Sequence, residues 1–372
     1  MVQKKFKQMR QLILSTSLMI LFFSAQAQIE KGSWLLDFYG HSGYETEEEI
    51  VFPQLYAKVG YLPLESLAVG VRIGGSGFFQ NGNNFGSALY AVFGRYYINP
   101  QAENFHFFGE LESGLLVGYQ EGSDSESRFY IRPATGMSYE LTEGLGLEVG
   151  LGFTFMESLN TSQIRYNGLT FDLGWRAILG NRSREALEET DHFFGRGTIS
   201  LAAGVNVNNS FDQAVLNLRS TTEAELNSEA IRFTNLSETS SNVGIFDFGF
   251  GFFLSDRVMF DIGIGMVNYS QSEVDPAITL FSISPGLRYY LPLGADRTHL
   301  FVQTGYEFGG INFSGLGAES TYHYLDGGLG VNYMIGPSVA LELGVDYGQL
   351  SWDILDRNLN FFKFYYGLRI FI

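Results

Sequence analysis

Period two is the feature that most limits what this chain can become. Leu145, Leu147, Val149, Leu151 and Phe153 alternate with Gly146, Glu148, Gly150 and Gly152. In an extended strand this puts every apolar side chain on one face and only glycine and a carboxylate on the other. Val258, Phe260, Ile262, Ile264 and Met266 stand in the same relation to Met259, Asp261, Gly263 and Gly265, and Phe246–Phe252 repeats the pattern. The second face of a soluble sheet would be rich in Lys, Thr and Glu for water. Glycine with isolated charges instead fits a cramped interior, which leaves the apolar face to meet lipid.

Helices cannot do the spanning. The longest uncharged stretch beyond the N-terminus lies between Arg72 and Arg95, and Phe79-Gln80-Asn81-Gly82-Asn83-Asn84 breaks it with a turn. Strands must span, and in lipid they must close so that no edge is left unpaired. Strands of about 10 residues with aromatic ends are expected.

The N-terminus reads as a secretory signal. Lys4, Lys5, Lys7 and Arg10 form a positive region, Leu12–Phe23 an apolar one, and Ala25-Gln26-Ala27 an A-x-A cleavage site, which makes Gln28 the expected mature N-terminus. The chain has no cysteine, so neither a lipid-anchor cysteine nor a disulfide frame nor a thiolate metal site is available. Residues 1–27 carry four positive charges and no acid, so their removal takes the net charge from −17 to −21. So acidic a chain is not a nucleic-acid binder. Aromatics at 16% and charged residues at 17% exclude a disordered chain.

Short connections predicted for the periplasmic side are 62–65, 99–102, 141–144, 255–257, 293–296 and 335–337. Between them fall longer polar segments predicted as outer loops, among them Gly43–Pro53, Ser314–Ser320, Gly348–Leu359 and the longest, Asn206–Asn242. Eight strands are expected before residue 180 and eight after 196. The halves repeat: Arg95-Tyr96-Tyr97-Ile98 matches Arg288-Tyr289-Tyr290-Leu291, Leu147-Glu148-Val149-Gly150 matches Leu341-Glu342-Leu343-Gly344, and Gly174-Trp175-Arg176 matches Gly367-Leu368-Arg369, at offsets of 193, 194 and 193. A constant offset implies a duplicated unit. The predicted organisation is a signal peptide (1–27), a first eight-stranded unit (28–180), a polar periplasmic linker (181–195) and a second eight-stranded unit (196–372). The fold class is all-β, an antiparallel transmembrane β-barrel of about 16 strands. Two tandem barrels and a single 16-stranded barrel both satisfy these signals.

Lys31-Gly32-Ser33-Trp34-Leu35-Leu36, the Gly-x-Arg strands and the closing Phe364–Ile372 strand resemble the small eight-stranded outer-membrane barrels of the OmpX/OmpW-like group, which includes β-barrel domains common in Bacteroidetes-type bacteria. The resemblance covers about residues 30–180 and again 196–372. It implies integral residence in the outer membrane of a Gram-negative cell, contact with outer-membrane lipid and lipopolysaccharide, and insertion by the barrel-assembly machinery through the C-terminal strand. Members usually end in an aromatic residue, whereas this chain ends in Ile372 after Phe371.

Charges on the non-lipid phase are the candidate functional residues: Arg72, Arg95, Glu148 and Arg176 in the first half, and Asp261, Arg288, Glu342 and Arg369 in the second. Lys58, Glu110, Glu112, Asp247, Glu307, Asp346 and Lys363 share that phase. They form either an internal salt-bridge plug or the lining of a conducting pore. No catalytic, cofactor or metal site is expected. His41 beside Ser42 and His323 near Ser320 are the one hint of lipid chemistry, and rim residues explain them; His106 and His299 read as structural residues of matching turns. Gly144-x-Gly146 and Gly249-x-Gly251 lie mid-strand with no following helix and are not phosphate loops. Acidic runs at 45–49 and 122–126 read as solvated loops. The function expected is a structural or surface-interaction barrel with a plugged lumen, with a diffusion porin and then a lipid-modifying enzyme as alternatives.

Overall fold

The computed structural model describes residues 29–45, 50–79, 84–98, 104–120, 122, 126–142, 145–159, 165–180, 195–202, 229–236, 241–270, 278–292, 297–313, 318–353 and 357–372. For several strand residues, among them 38–43, 229–236 and 241–247, only the backbone is described. The signal peptide and most of the 181–195 linker lie outside the described residues.

Among the described residues, seventeen antiparallel strands form one continuous sheet. The first half contributes β1 (Trp34–Glu45), β2 (Ile50–Leu64), β3 (Leu67–Phe78), β4 (Phe85–Tyr97), β5 (Phe105–Gln120), β6 (Glu126–Thr142), β7 (Leu145–Ser158) and β8 (Arg165–Leu179). The second contributes β9 (Ile199–Ala202), β10 (Glu229–Leu236), β11 (Ser241–Ser255), β12 (Val258–Ser270), β13 (Ile278–Tyr290), β14 (Thr298–Phe313), β15 (Ala318–Met334), β16 (Val339–Trp352) and β17 (Arg357–Phe371). At either height the second half contributes eight strands, as counted from the sequence, because two of its nine segments share one place. Both β9 and β10 run antiparallel to β11, and 26 residues separate them, so one strand is split into a lower and an upper piece. Asn206–Asn242 therefore contains a strand instead of being loop throughout. Only Ile231 and Phe233 alternate with polar neighbours there, two periods in a polar stretch, which is too short a signal to read.

The pairing resolves the choice between one barrel and two by height. At the near end, where the chain enters at Trp34, Trp34–Leu36 pair with Leu179–Ala177 and close β1–β8 on themselves. There β9 pairs with β11 on one side and β17 on the other, closing a second eight-stranded barrel. Towards the far end the partners change. Tyr39–Glu45 pair with Gly367–Phe361, and Gly174–Gly168 pair with Glu229–Leu236. The two walls join there into one circuit of sixteen strands.

Alternation holds through the described strands. Val69, Val71 and Ile73 are exposed while Ala68, Arg72 and Gly74 are buried. The outward face carries Val92, Leu111, Ile131, Leu151, Leu169, Leu287, Val302, Leu325 and Leu329 in a band, with exposed Trp34, Tyr61, Tyr96, Tyr289 and Tyr333 at the near end. A water-facing sheet does not hold such a band; a lipid-facing one does, with aromatics at its edge. Where the two near-end barrels touch, outward residues are covered: Leu145, Ala177, Val339 and Ile370 form a buried cluster with Leu36, Trp175, Leu201 and Leu368 against it.

Strands reach 17 residues in β6 and β15, well beyond the expected length. Connections at the far end are consequently four to seven residues, against two to seven between hairpin strands at the near end. The alternation of long loops with short turns is thus corrected: much of Gly43–Pro53 and Gly348–Leu359 is strand. These ends are polar because they extend past the lipid band, where apolar periodicity is no longer needed.

Candidate functional site in the two lumens

Each barrel interior is a stack of three layers. In the first, Ile29, Leu35, Leu62, Ala68, Phe93, Tyr97, Phe108 and Ile178 pack at the near end. Leu89, Ala91, Leu116, Tyr130 and Met156 pack towards the far end. Charged side chains lie between them. In the second, Phe253, Met259, Tyr290, Phe301, Met334, Ala340 and Phe371 form the near layer, and Tyr322, Tyr324, Leu350 and Leu359 the far one. The near layers follow from the narrow circumference there: eight strands leave room for side chains and not for a channel.

The first barrel's charges join in a continuous chain. Arg72 Nη1 donates to Glu112 Oε1 at 2.9 Å, and Lys58 Nζ lies 3.8 Å from Glu112 and 2.5 Å from Glu110. Arg95 Nε donates to Glu110 at 2.8 Å and its Nη1 to Glu148 at 2.7 Å. Arg176 closes on the other oxygen of Glu148 and lies 3.6 Å from Asp37. Arg132 pairs with Asp172, and the Tyr130 hydroxyl donates to Glu112 at 2.6 Å. Among the described residues the buried bases (Lys58, Arg72, Arg95, Arg128, Arg132, Arg176) and acids (Asp37, Glu110, Glu112, Glu140, Glu148, Asp172) number six and six. Charges withdrawn from water at this depth need partners, and the balance supplies them.

The second barrel keeps the centre of that arrangement and changes its margins. Arg288 donates to both oxygens of Glu342, at 2.6 and 3.1 Å, and Arg369 to both at 2.6 and 3.2 Å. Asp261 lies 3.0 Å from Arg369 and 3.5 Å from Arg288. The Arg–Glu–Arg bridge thus recurs on equivalent strands, β4, β7 and β8 in one half and β13, β16 and β17 in the other. Even the ring beneath is shared: Arg95 lies 3.8 Å over Phe108 and Arg288 3.9 Å over Phe301. Where the first barrel has Glu110, the second has Gln303, which accepts from Arg288 at 2.8 Å and donates to Asp346 Oδ1 at 2.8 Å. Glu307 accepts from Tyr322 at 2.7 Å. Around a cavity of about 60 Å3 stand five acids (Asp261, Glu307, Asp326, Glu342, Asp346) and three bases (Arg288, Lys363, Arg369).

All eight charges singled out from the sequence face the lumens, four to each. Lys58, Glu110, Glu112, Glu307, Asp346 and Lys363 do so too, while the side chain of Asp247 is outside the described residues. Asp37, Arg132, Asp172 and Asp326 are additions that the sequence reading missed. The signal was there: Arg128, Tyr130 and Arg132 alternate with exposed Phe129 and Ile131, as Asp172 does with Phe171.

Of the two histidine–serine pairs that hinted at lipid chemistry, only His323 with Ser320 is described, and it does not assemble. His323 points outward, with Tyr306 Oη 2.5 Å from its Nδ1, while Ser320 is buried on the inner side. The side chains of His41 and Ser42 are outside the described residues. His106 and His299 lie just inside β5 and β14, not in turns as read, and His106 Nε2 is 3.2 Å from Glu140.

No protein-family model matches the chain, and no curated protein matches it. Among solved structures it is similar to a bacterial polysaccharide outer membrane secretin (9% identity, 91% of this chain and 98% of that one, TM-score 0.44). It is also similar to the outer membrane protein OprD from Pseudomonas aeruginosa (11%, 94% and 96%, TM-score 0.31) and to OmpT of Vibrio cholerae (12%, 94% and 100%, TM-score 0.30). Likenesses this distant say nothing about what a lumen holds.

Proposed function

We propose that this chain is an integral outer-membrane protein of a Gram-negative-type cell, with its near end periplasmic and its far end at the surface, serving a structural or surface-contact role. The two halves are a duplicated unit of the OmpX/OmpW-like kind, inserted after cleavage near Ala27 by the assembly machinery acting on the C-terminal strand. One observation carries the reading: both lumens are filled by a fully buried Arg–Glu–Arg bridge between apolar layers, with Arg95 only 2% and Glu342 0% exposed. A solute would have to break paired charges in a low-dielectric space to pass. Reconstituted in planar bilayers, the purified protein is expected to show no open-channel steps. Stepwise conductance on the order of a nanosiemens would overturn the plugged lumen and favour a diffusion porin. That second reading has one supporting observation, the sixteen-strand circuit at the far end.

A further inference from the structure

We infer that the interior of the second barrel holds a monovalent alkali cation, sodium or potassium, beside Asp346. The inference deepens the plugged-lumen reading and rests on it. Both barrels enclose the same Arg–Glu–Arg bridge, but among the described residues the first balances its buried charges six against six, whereas the second buries four acids (Glu307, Asp326, Glu342, Asp346) and three bases (Arg288, Lys363, Arg369), with partly exposed Asp261 beside them. An uncompensated charge at membrane depth is strongly disfavoured, so the surplus is met either by a bound cation or by a proton.

The polar atoms left over show where. Asp346 is 1% exposed; its Oδ1 takes the Gln303 amide, and its Oδ2 has no hydrogen-bond partner. The Tyr365 hydroxyl, on a residue 2% exposed, has none either. Both residues line the same cavity, with Asp326, Glu307 and Lys363, the last opposite Asp346 in the β16–β17 ladder. Buried polar atoms of this kind are almost always satisfied, by protein or by something bound. A cavity of about 60 Å3 has space for one small ion together with a few waters, each of which needs about 10–15 Å3 on this measure. Among the described residues no three His, Asp or Glu side chains gather to hold a metal ion, which disfavours a divalent ion caged by protein atoms. A singly charged ion that takes one carboxylate oxygen, a phenol oxygen and water asks for less. The first barrel offers no such place: Gly152 stands where the second has Asp346, at the 194-residue offset, and the Arg132 guanidinium fills the space over it.

The test uses the full-length protein folded in detergent micelles and desalted into N-methylglucamine chloride. Sodium or potassium chloride is then titrated in at constant ionic strength while heat-modifiable gel migration reports the melting midpoint. A saturable rise in midpoint with one of the two ions, and about one bound ion per chain by elemental analysis, are expected. Asp346→Asn should weaken that dependence by about tenfold or more, one charge-assisted contact being lost. Tyr365→Phe, which keeps the ring, should weaken it less, and Arg132→Lys in the first barrel should leave it unchanged. No bound ion in the wild-type protein, with the same midpoint in all three chlorides, would overturn the inference: the cavity then holds water alone and the acids carry protons. That result would leave the absence of bilayer conductance untouched, and a conducting channel would sink the plug without reference to ion binding.

Discussion

Glu148 and Glu342 each hold two guanidinium groups that would otherwise face one another at membrane depth. Removing the acid from a buried bridge costs more than the bridge contributes, because it strands the cations. Glu148→Gln or Glu342→Gln should therefore destabilise the fold by about 3–5 kcal/mol. The readout is the midpoint of urea unfolding in micelles followed by gel migration, and a change under about 1 kcal/mol would refute the bridge as a fixed contact. Glycine matters here through the side chains it makes room for. A Cβ on Gly344 would overlap the Tyr365 ring, and one on Gly328 would overlap the Asp346 carboxylate. Gly344→Ala should cost about 1–3 kcal/mol, the usual penalty of overpacking, in the same unfolding assay. These inward residues were legible because strand phase alone assigns a face. Their partners were not: Arg72 with Glu112 and Arg132 with Asp172 lie 40 residues apart in sequence, and only the barrel's circumference brings them together.

Among the strands, the instructive ones are β1, β8 and β17, which change partners partway along. Cysteines placed on directly opposed residues report such pairing, since facing Cα atoms in an antiparallel ladder sit within disulfide reach. Ser42→Cys with Phe364→Cys should cross-link on oxidation, because the two are opposed in the β1–β17 ladder. Were β1 paired with β8 along its whole length in the register of its near end, Ser42 would instead face Phe171, which the ladders place opposite Phe233. Cross-linking of Ser42→Cys with Phe171→Cys would therefore disprove the partner change. The sequence specified the strands and their facing, because period two is a local property. It could not specify this exchange, which depends on two strands at opposite ends of the chain meeting, nor the split of β9 from β10. Gly-x-Arg at 174–176 and at 367–369 looks like two seams that each close one barrel. Of these only Arg369 lies in a closing ladder: the first barrel closes just beyond Arg176, at 177–179, while Gly174 pairs with β10 and Gly367 with β1.

Seen whole, the molecule is two narrow barrels that become one wider wall. Apolar residues that would have met lipid on isolated barrels, Ala177 and Ile370 among them, instead seal the crotch. Replacing Ala177, which is 0% exposed, with Trp should separate the walls and lower the unfolding midpoint, whereas Leu169→Trp in the lipid band should be tolerated. Equal losses from the two changes would count against a packed contact between barrels. The partner exchange also sets a timetable for biogenesis. Residues 39–45 emerge early, but their hydrogen-bonding edge is completed by 361–367, more than 300 residues further along. Until then the first half has an open flank, so release from whatever inserts it must wait for β17, and a chain lacking 361–372 would lose the fastening of both halves.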